Sequence, residues 1–192
     1  MMSIMDEKTF VERLKAGDRS AQELLVREYS SFLFNVVIQI VRRKSLAEDI
    51  VEEALLSAIN SIKRFKGKSS VKSWIYRIAV NKAKTVLTKE TRLDRLKEKL
   101  AEQKKLYDPD DIPREFSTDK KKAIIWQGME YLNESEREII TLIDIEGMSY
   151  KEVSALLGIP VGTVRSRISR AREHLKDIIL EWNFFGIKVS NK

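Results

Sequence analysis

An all-α chain of two small helical domains, the second a helix-turn-helix, is the fold class that these 192 residues predict. Three observations carry it. Ser20 with Glu23, Ser45 with Glu48, Asn133 with Glu136 and Ser149 with Glu152 have the capping-box spacing, in which two side chains satisfy free backbone N–H groups at a helix start. Apolar residues recur three or four apart over long stretches, as one buried helix face requires, and no stretch alternates with a strand period. Between two such regions, residues 89–118 turn highly charged and are broken by Asp108-Pro109 and Ile112-Pro113.

In chain order, the first helix follows Ser20, with Leu25, Tyr29, Phe32, Leu33, Val36, Val37 and Ile40 on its inner face. The second follows Ser45 through Ile50, Val51, Ala54, Leu55, Ala58, Ile59 and Ile62. FKGKSS, residues 65–70, reads as a short loop, and a further helix runs through Val71, Trp74, Ile75, Ile78 and Lys82. The N-terminal domain is therefore expected over residues 1–88, with a linker over 89–118 whose acids and bases balance. The C-terminal domain, 119–192, has three or four helices punctuated by Asn133, Gly147 and Gly158.

Composition narrows the chemistry. There is no Cys and a single His, His174, which leaves no disulfide, thiolate metal site or His cluster. No cofactor, metal or enzymatic activity is expected. The first ten residues carry acids where a secretory leader needs an apolar run, and the apolar runs read as far shorter than a membrane span, so a cytoplasmic protein without membrane insertion is expected. The formal charge of +7 is concentrated. Lys63 to Lys89 holds nine Lys or Arg and no acid, and Val161 to Arg172 holds four Arg and no acid. Two separate basic surfaces fit two contacts with one polyanion.

Residues 149–176, SYKEVSALLGIPVGTVRSRISRAREHLK, give a capped short helix, a glycine turn and a second helix, the helix-turn-helix plan. Val153, Leu156 and Leu157 face inward on the first helix, and Val164, Ile168, Ala171 and Leu175 on the second. The remaining faces then carry Arg165, Ser166, Ser169, Arg170 and Arg172 outward. An arginine fork can bond two acceptors on a guanine edge or a phosphate, and a helix fits the major groove. Thr163 stands near the helix start, where free N–H groups favour a phosphate. PVGTVRSRISRAR together with LNESEREIITLIDIEGMSYKEVSALLGI resembles the C-terminal domain of extracytoplasmic-function sigma factors. That resemblance implies reading of the minus-thirty-five promoter element by Arg165, Ser166, Ser169 and Arg170, beside the phosphate contact that its place at the helix start suggests for Thr163. Some members of the family carry an aromatic residue at the position of Ser169, and a small residue such as Ala at that of Ser154.

LAEDIVEEALLSAINSIKRFKGKSSVKSWIYRIAVNKAKTVL resembles the core-binding and minus-ten segments of the same family. The resemblance implies that Leu46, Glu48, Asp49, Ile50, Glu52 and Glu53 face the clamp helices of core RNA polymerase. A solvated acidic helix start favoured by the macrodipole accounts for Glu48 and Asp49 as well. In the loop and next helix, Lys63, Lys66 and Lys68 supply charge, Ser69 a hydroxyl and Phe65 a ring, the chemistry that an opened single strand needs. For Phe65 a core position fits equally. Arg77, Asn81 and Lys84 fall on one face of the following helix, and by resemblance they recognise the minus-ten element. Core polymerase, duplex and opened promoter DNA, and an anti-sigma factor are the implied partners.

A linker of about 30 residues spans roughly 90 Å extended and about 30 Å as a coil, against about 34 Å for a turn of DNA. Both domains can thus reach separate promoter elements. Trp182, Phe184, Phe185 and Ile187 make the tail apolar enough to need cover. Two other readings fit parts of the chain. A stand-alone helix-turn-helix regulator has no use for the N-terminal match. A metal-dependent nuclease would need Asp108, Asp110 and Asp111 as oxygen ligands, with no partner placed beside them.

Overall fold

A computed structural model describes residues 6–98 and 120–184, and the chain divides into two compact units, residues 1–111 and 112–192. Among the described residues the regular structure is helical throughout. The first unit contains α1 (Glu7–Lys15), α2 (Arg19–Val41), α3 (Lys44–Ser61) with a short 3₁₀ turn over Ile62–Arg64, and α4 (Val71–Glu98). The second contains α5 (Lys120–Met129), α6 (Glu134–Ile140), which runs on into a π turn over Thr141–Ile145, then α7 (Tyr150–Leu157) and α8 (Val161–Phe184).

The periodic stripes are the core. In the first unit Leu25, Leu33, Val37, Val71 and Ile75 are fully buried where α2, α3 and α4 pack together. By length and composition α2 is apolar enough to cross a bilayer, with a mean hydropathy of 1.4, contrary to the expectation that no apolar stretch approaches a span. Half of that stretch is covered by the unit's own core, through Leu25, Tyr29, Phe32, Leu33, Val36 and Val37.

Two of the four expected capping boxes form: Asn133 with Glu136 and Ser149 with Glu152. The other two do not. Helix α2 is capped by Asp18, which accepts from the backbone N–H groups of Ser20 and Ala21, and Glu23 pairs with Arg19 instead. Helix α3 starts after Arg43 with no side-chain cap, and Glu48 lies 3.9 Å from Lys44. In each case a different residue sets the helix start, so the Ser is already inside the first turn, where its hydroxyl cannot cap. Helix α1 was not expected. Its signals are Asp6, which accepts from the N–H groups of Lys8 and Thr9, and the i, i+1, i+4 spacing of the buried Phe10, Val11 and Leu14.

Helix α4 continues to Glu98, so residues 89–98 of the charged segment extend the helix carrying Arg77 and Asn81. Arg43 ties this extension down, its Nη2 donating to both carboxylate oxygens of Glu90 at 2.7 and 2.6 Å. Asp108, Asp110, Asp111, Phe185 and Ile187 lie outside the described residues.

Candidate nucleic-acid interface

The helix-turn-helix is built from its turn outward. Gly158 ends α7 in the left-handed region, at φ 69°, which an L side chain adopts only with strain. Ser154 pins the same turn, its hydroxyl donating to the Ile159 carbonyl at 2.6 Å. An Ala there would leave that carbonyl without this bond. Val153 and Leu156 are buried against Val164, Ile168, Ala171 and Leu175, the inner stripe that the spacing predicts.

The opposite face of α8 presents Arg165, Ser169 and Arg170 to solvent, with Thr163 and Ser166 half-buried. The Ser166 hydroxyl donates to the Thr163 carbonyl at 3.1 Å. No described residue forms an ion pair or side-chain hydrogen bond with Arg165 or Arg170, so both guanidinium forks are available. Arg172 differs from the expectation. It grips Asp144 through Nε at 3.1 Å and Nη2 at 2.5 Å, and so is not a free outward cation. On the other flank of α8, Arg167 reaches Ser135 Oγ at 3.5 Å, and His174 Nδ1 lies 3.1 Å from Glu136. The outer face is thereby narrowed to the first turns of the helix.

In the first unit Lys63, Lys66 and Lys68 are exposed around the loop and Ser69 is half-buried. Phe65 is not on this surface: it is 6% exposed, with its ring centroid 5.1 Å from that of Trp74. The two rings close the base of the loop, and the stacking face expected of Phe65 is used inside the protein. Ser70 caps α4, its hydroxyl accepting from the Ser73 N–H at 3.1 Å, while Glu7 of α1 accepts from the Val71 N–H at 2.7 Å. The Lys72 ammonium sits 4.2 Å above the Phe32 ring, a cation–π contact that holds its stem on the core. Arg77, Asn81 and Lys84 are exposed, and their spacing of four and three sets them along one face of α4.

On α3, Glu48, Asp49, Glu52 and Glu53 are exposed and Leu46 is half-buried. Ile50, expected with them, is 3% exposed and belongs to the core. Glu53 is held at 3.1 Å from Lys82 of α4. Leu56, missed in the sequence, is 52% exposed one turn beyond Glu52 and Glu53 on the same face. Its signal was present: it stands next to the stripe residue Leu55, on the side of the helix that carries the acids. Among the described residues, no group of three or more His, Asp or Glu could hold a metal ion.

Sequence comparisons agree in order with this arrangement. Residues 25–93 match the family described as sigma-70 region 2, and residues 122–175 match sigma-70, region 4. The chain is 35% identical over 186 residues to the ECF RNA polymerase sigma-E factor of Haemophilus influenzae, covering 93% of this chain and 98% of that protein. It is 34% identical to the ECF RNA polymerase sigma-E factor of Escherichia coli K12, over 90% of this chain and 94% of that one. To the RNA polymerase sigma-H factor of Pseudomonas aeruginosa it is 32% identical, over 90% of this chain and 93% of that protein. Two solved structures share the fold: CnrH in complex with the cytosolic domain of CnrY (TM-score 0.66, 22% identity, 90% of this chain and 96% of that one) and the sigma factor RpoE with the anti-sigma factor NepR from Bartonella quintana (TM-score 0.65, 24% identity, 82% and 95%). With both regions present in order along one chain, this protein belongs to the extracytoplasmic-function sigma factors of bacterial RNA polymerase.

Proposed function

We propose that the protein initiates transcription by docking on core polymerase through the exposed acidic face of α3, reading the minus-thirty-five element as duplex with α8, and holding the opened minus-ten strand against unit 1. The observation that carries this is the outer face of α8, where Arg165 and Arg170 stand without partners among the described residues, on either side of Ser166 and Ser169. A guanidinium left unpaired on a helix surface is a fork available to a base edge or a phosphate. Thr163, near the helix N-terminus, supports a phosphate contact.

In unit 1 the proposed strand-binding surface is Lys63, Lys66, Lys68 and Ser69 at the loop, continued by Arg77, Asn81 and Lys84 along α4. Phe65 supports the loop from inside. The polymerase-facing set is Leu46, Glu48, Asp49, Glu52 and Glu53. An anti-sigma partner that covers these faces is implied by the family resemblance. The protein would carry out no covalent step and need no cofactor, since binding and positioning account for the whole role.

Run-off transcription with purified core polymerase and a promoter library tests the proposal. Protein-dependent start sites that share two spaced elements are the expected result. Arg170→Ala should lose upstream-element discrimination by about tenfold or more, and Asn81→Ala should impair opening or minus-ten choice by a similar factor. No transcription, alongside tight polymerase-independent binding to duplex DNA, would favour a stand-alone regulator.

A further inference from the structure

Of the four arginines from Val161 to Arg172, Arg172 is the one that, among the described residues, has a carboxylate in its fork. Asp144 meets it from the π turn that ends α6. There the Glu146 N–H donates to the Thr141 carbonyl at 2.9 Å, five residues back instead of four. Such a turn adds one residue to the helical register and rotates the chain beyond it by about 100°. Asp144 lies in that turn, and Thr141, at its start, is buried with its hydroxyl donating to the Arg137 carbonyl at 2.8 Å. Tyr150, the first residue of α7, is a smaller contributor to the raised pKa of the Arg172 guanidinium, after Asp144. The Asp144 hydrogen bond holds that guanidinium above its ordinary pKa, against the opposing effect of burial.

We propose that Arg172 is a positioning residue, clamped by Asp144 of the π turn, that fixes the rotation of α8 and so aims Arg165 and Arg170 at the promoter. This rests on the reading of α8 as the duplex-binding helix. A planar fork gripping both oxygens of a carboxylate sets direction as well as distance, which a lysine would not. The clamp lies about two helical turns beyond Arg165, near enough that a small rotation there displaces the forks at the DNA face.

Promoter binding by holoenzyme, measured against salt, separates this role from a DNA contact. Asp144→Ala and Arg172→Ala should each weaken specific binding by about fivefold. The double variant should be no worse than either single one, and the exchanged pair Asp144→Arg with Arg172→Asp should recover part of the loss. The salt slope should stay unchanged throughout. A slope reduced by about one in Arg172→Ala, with Asp144→Ala binding as well as or better than the unsubstituted protein, would overturn the proposal and place Arg172 on a phosphate. A second measurement needs neither polymerase nor DNA. In the free protein the Arg172 Nε–H should exchange slowly by NMR, and Asp144→Asn should remove that protection; rapid exchange in the unsubstituted protein would also overturn the clamp. Failure of the unsubstituted holoenzyme to bind any promoter would count against the sigma-factor reading, with the exchange measurement still deciding the clamp.

Discussion

In the unit of residues 6–98 the long helices α2, α3 and α4 bury Leu25, Leu33, Val37, Val71 and Ile75 completely, and the candidate DNA side chains ride on a loop and an outer face. In the unit of residues 120–184 three short helices, α5, α6 and α7, surround the long α8, and much of what aims α8 is polar: two capping boxes, the Ser154 pin at the turn and the Arg172 grip on Asp144. The first unit is an apolar platform that carries its exposed cations on a loop and on one face of α4. The second is a set of oriented parts, in which the direction of one helix matters more than the size of the core. Changes to packing should therefore spread through a whole three-helix core in the first unit, and changes to caps and turns should be felt at the candidate DNA face of the second.

Leu33→Ala is the largest perturbation of this contrast. Leu33 is fully buried, and removing it from the three-helix core should cost about 3 kcal/mol, combining lost transfer energy with the cavity left behind. Hydrogen exchange followed by mass spectrometry, peptide by peptide, should show the loss across α2 to α4 and not in α6 to α8. A matching loss in both units would mean that they unfold as one, and the comparison would fail.

Gly128→Val tests packing in the second unit. A Cβ on Gly128 would come within 2.6 Å of Leu175 Cδ1 and 3.5 Å of Ile179 Cγ1, so a side chain there has to displace the tip of Leu175 on α8. Overpacking and the branched Cβ together should cost about 2 kcal/mol, read as faster exchange in α5 and α8. Unchanged exchange would mean that α5 moves away freely and does not support α8.

A smaller and sharper test compares two serines that the sequence presents alike. Ser149→Ala breaks a formed capping box at the start of α7 and should cost about 1 kcal/mol. Ser45→Ala should cost close to nothing, because α3 begins before it without a side-chain cap. The pair also explains what was legible in the sequence and what was not. The spacing of Val164, Ile168, Ala171 and Leu175 sufficed to find the inner face of α8, since burial of a helix stripe follows directly from periodicity. Capping depends on where the preceding chain turns, and at α2 Asp18 took that place from Ser20.

The site was legible to a similar depth. Charge density picked out both basic surfaces, but density does not say which cation already has a partner. Arg172 and Asp144 are 28 residues apart, and a π turn invisible to a 3.6-residue period brings them together. The spacing set Ile50 in the buried stripe while the family resemblance set it among the exposed acids, and Phe65 fitted a core position as well as a stacking one; the core claims both, Phe65 through Trp74 and Ile50 where α3 packs on α2 and α4.

The gentlest test is acid. Asp18 caps α2 and also receives Arg13 Nε at 2.7 Å, and the hydrogen bond from Arg13 is the main cause of a carboxyl held below its ordinary 3.8. Asp6 at the start of α1 is lowered in the same direction, chiefly by Thr9. A carboxyl with a depressed folded-state pKa contributes stability that is fully present above the unfolded value. That contribution is lost as the pH falls through the folded one, so these caps should weaken only below about pH 4. The N-cap side chains of α6 and α7, Asn133 and Ser149, carry no charge themselves, although Glu136 and Glu152 complete their capping boxes. Asp18→Asn keeps a capping oxygen but removes the titration, and should make the acid-induced rise in α1 and α2 exchange shallower. Asn133→Asp should do the reverse, adding a titrating N-cap side chain to α6 and steepening its acid response below about pH 4. If Asp18→Asn leaves the acid response of the first unit unchanged, the protonation that loosens that unit occurs elsewhere, and its charged caps serve only to start the helices.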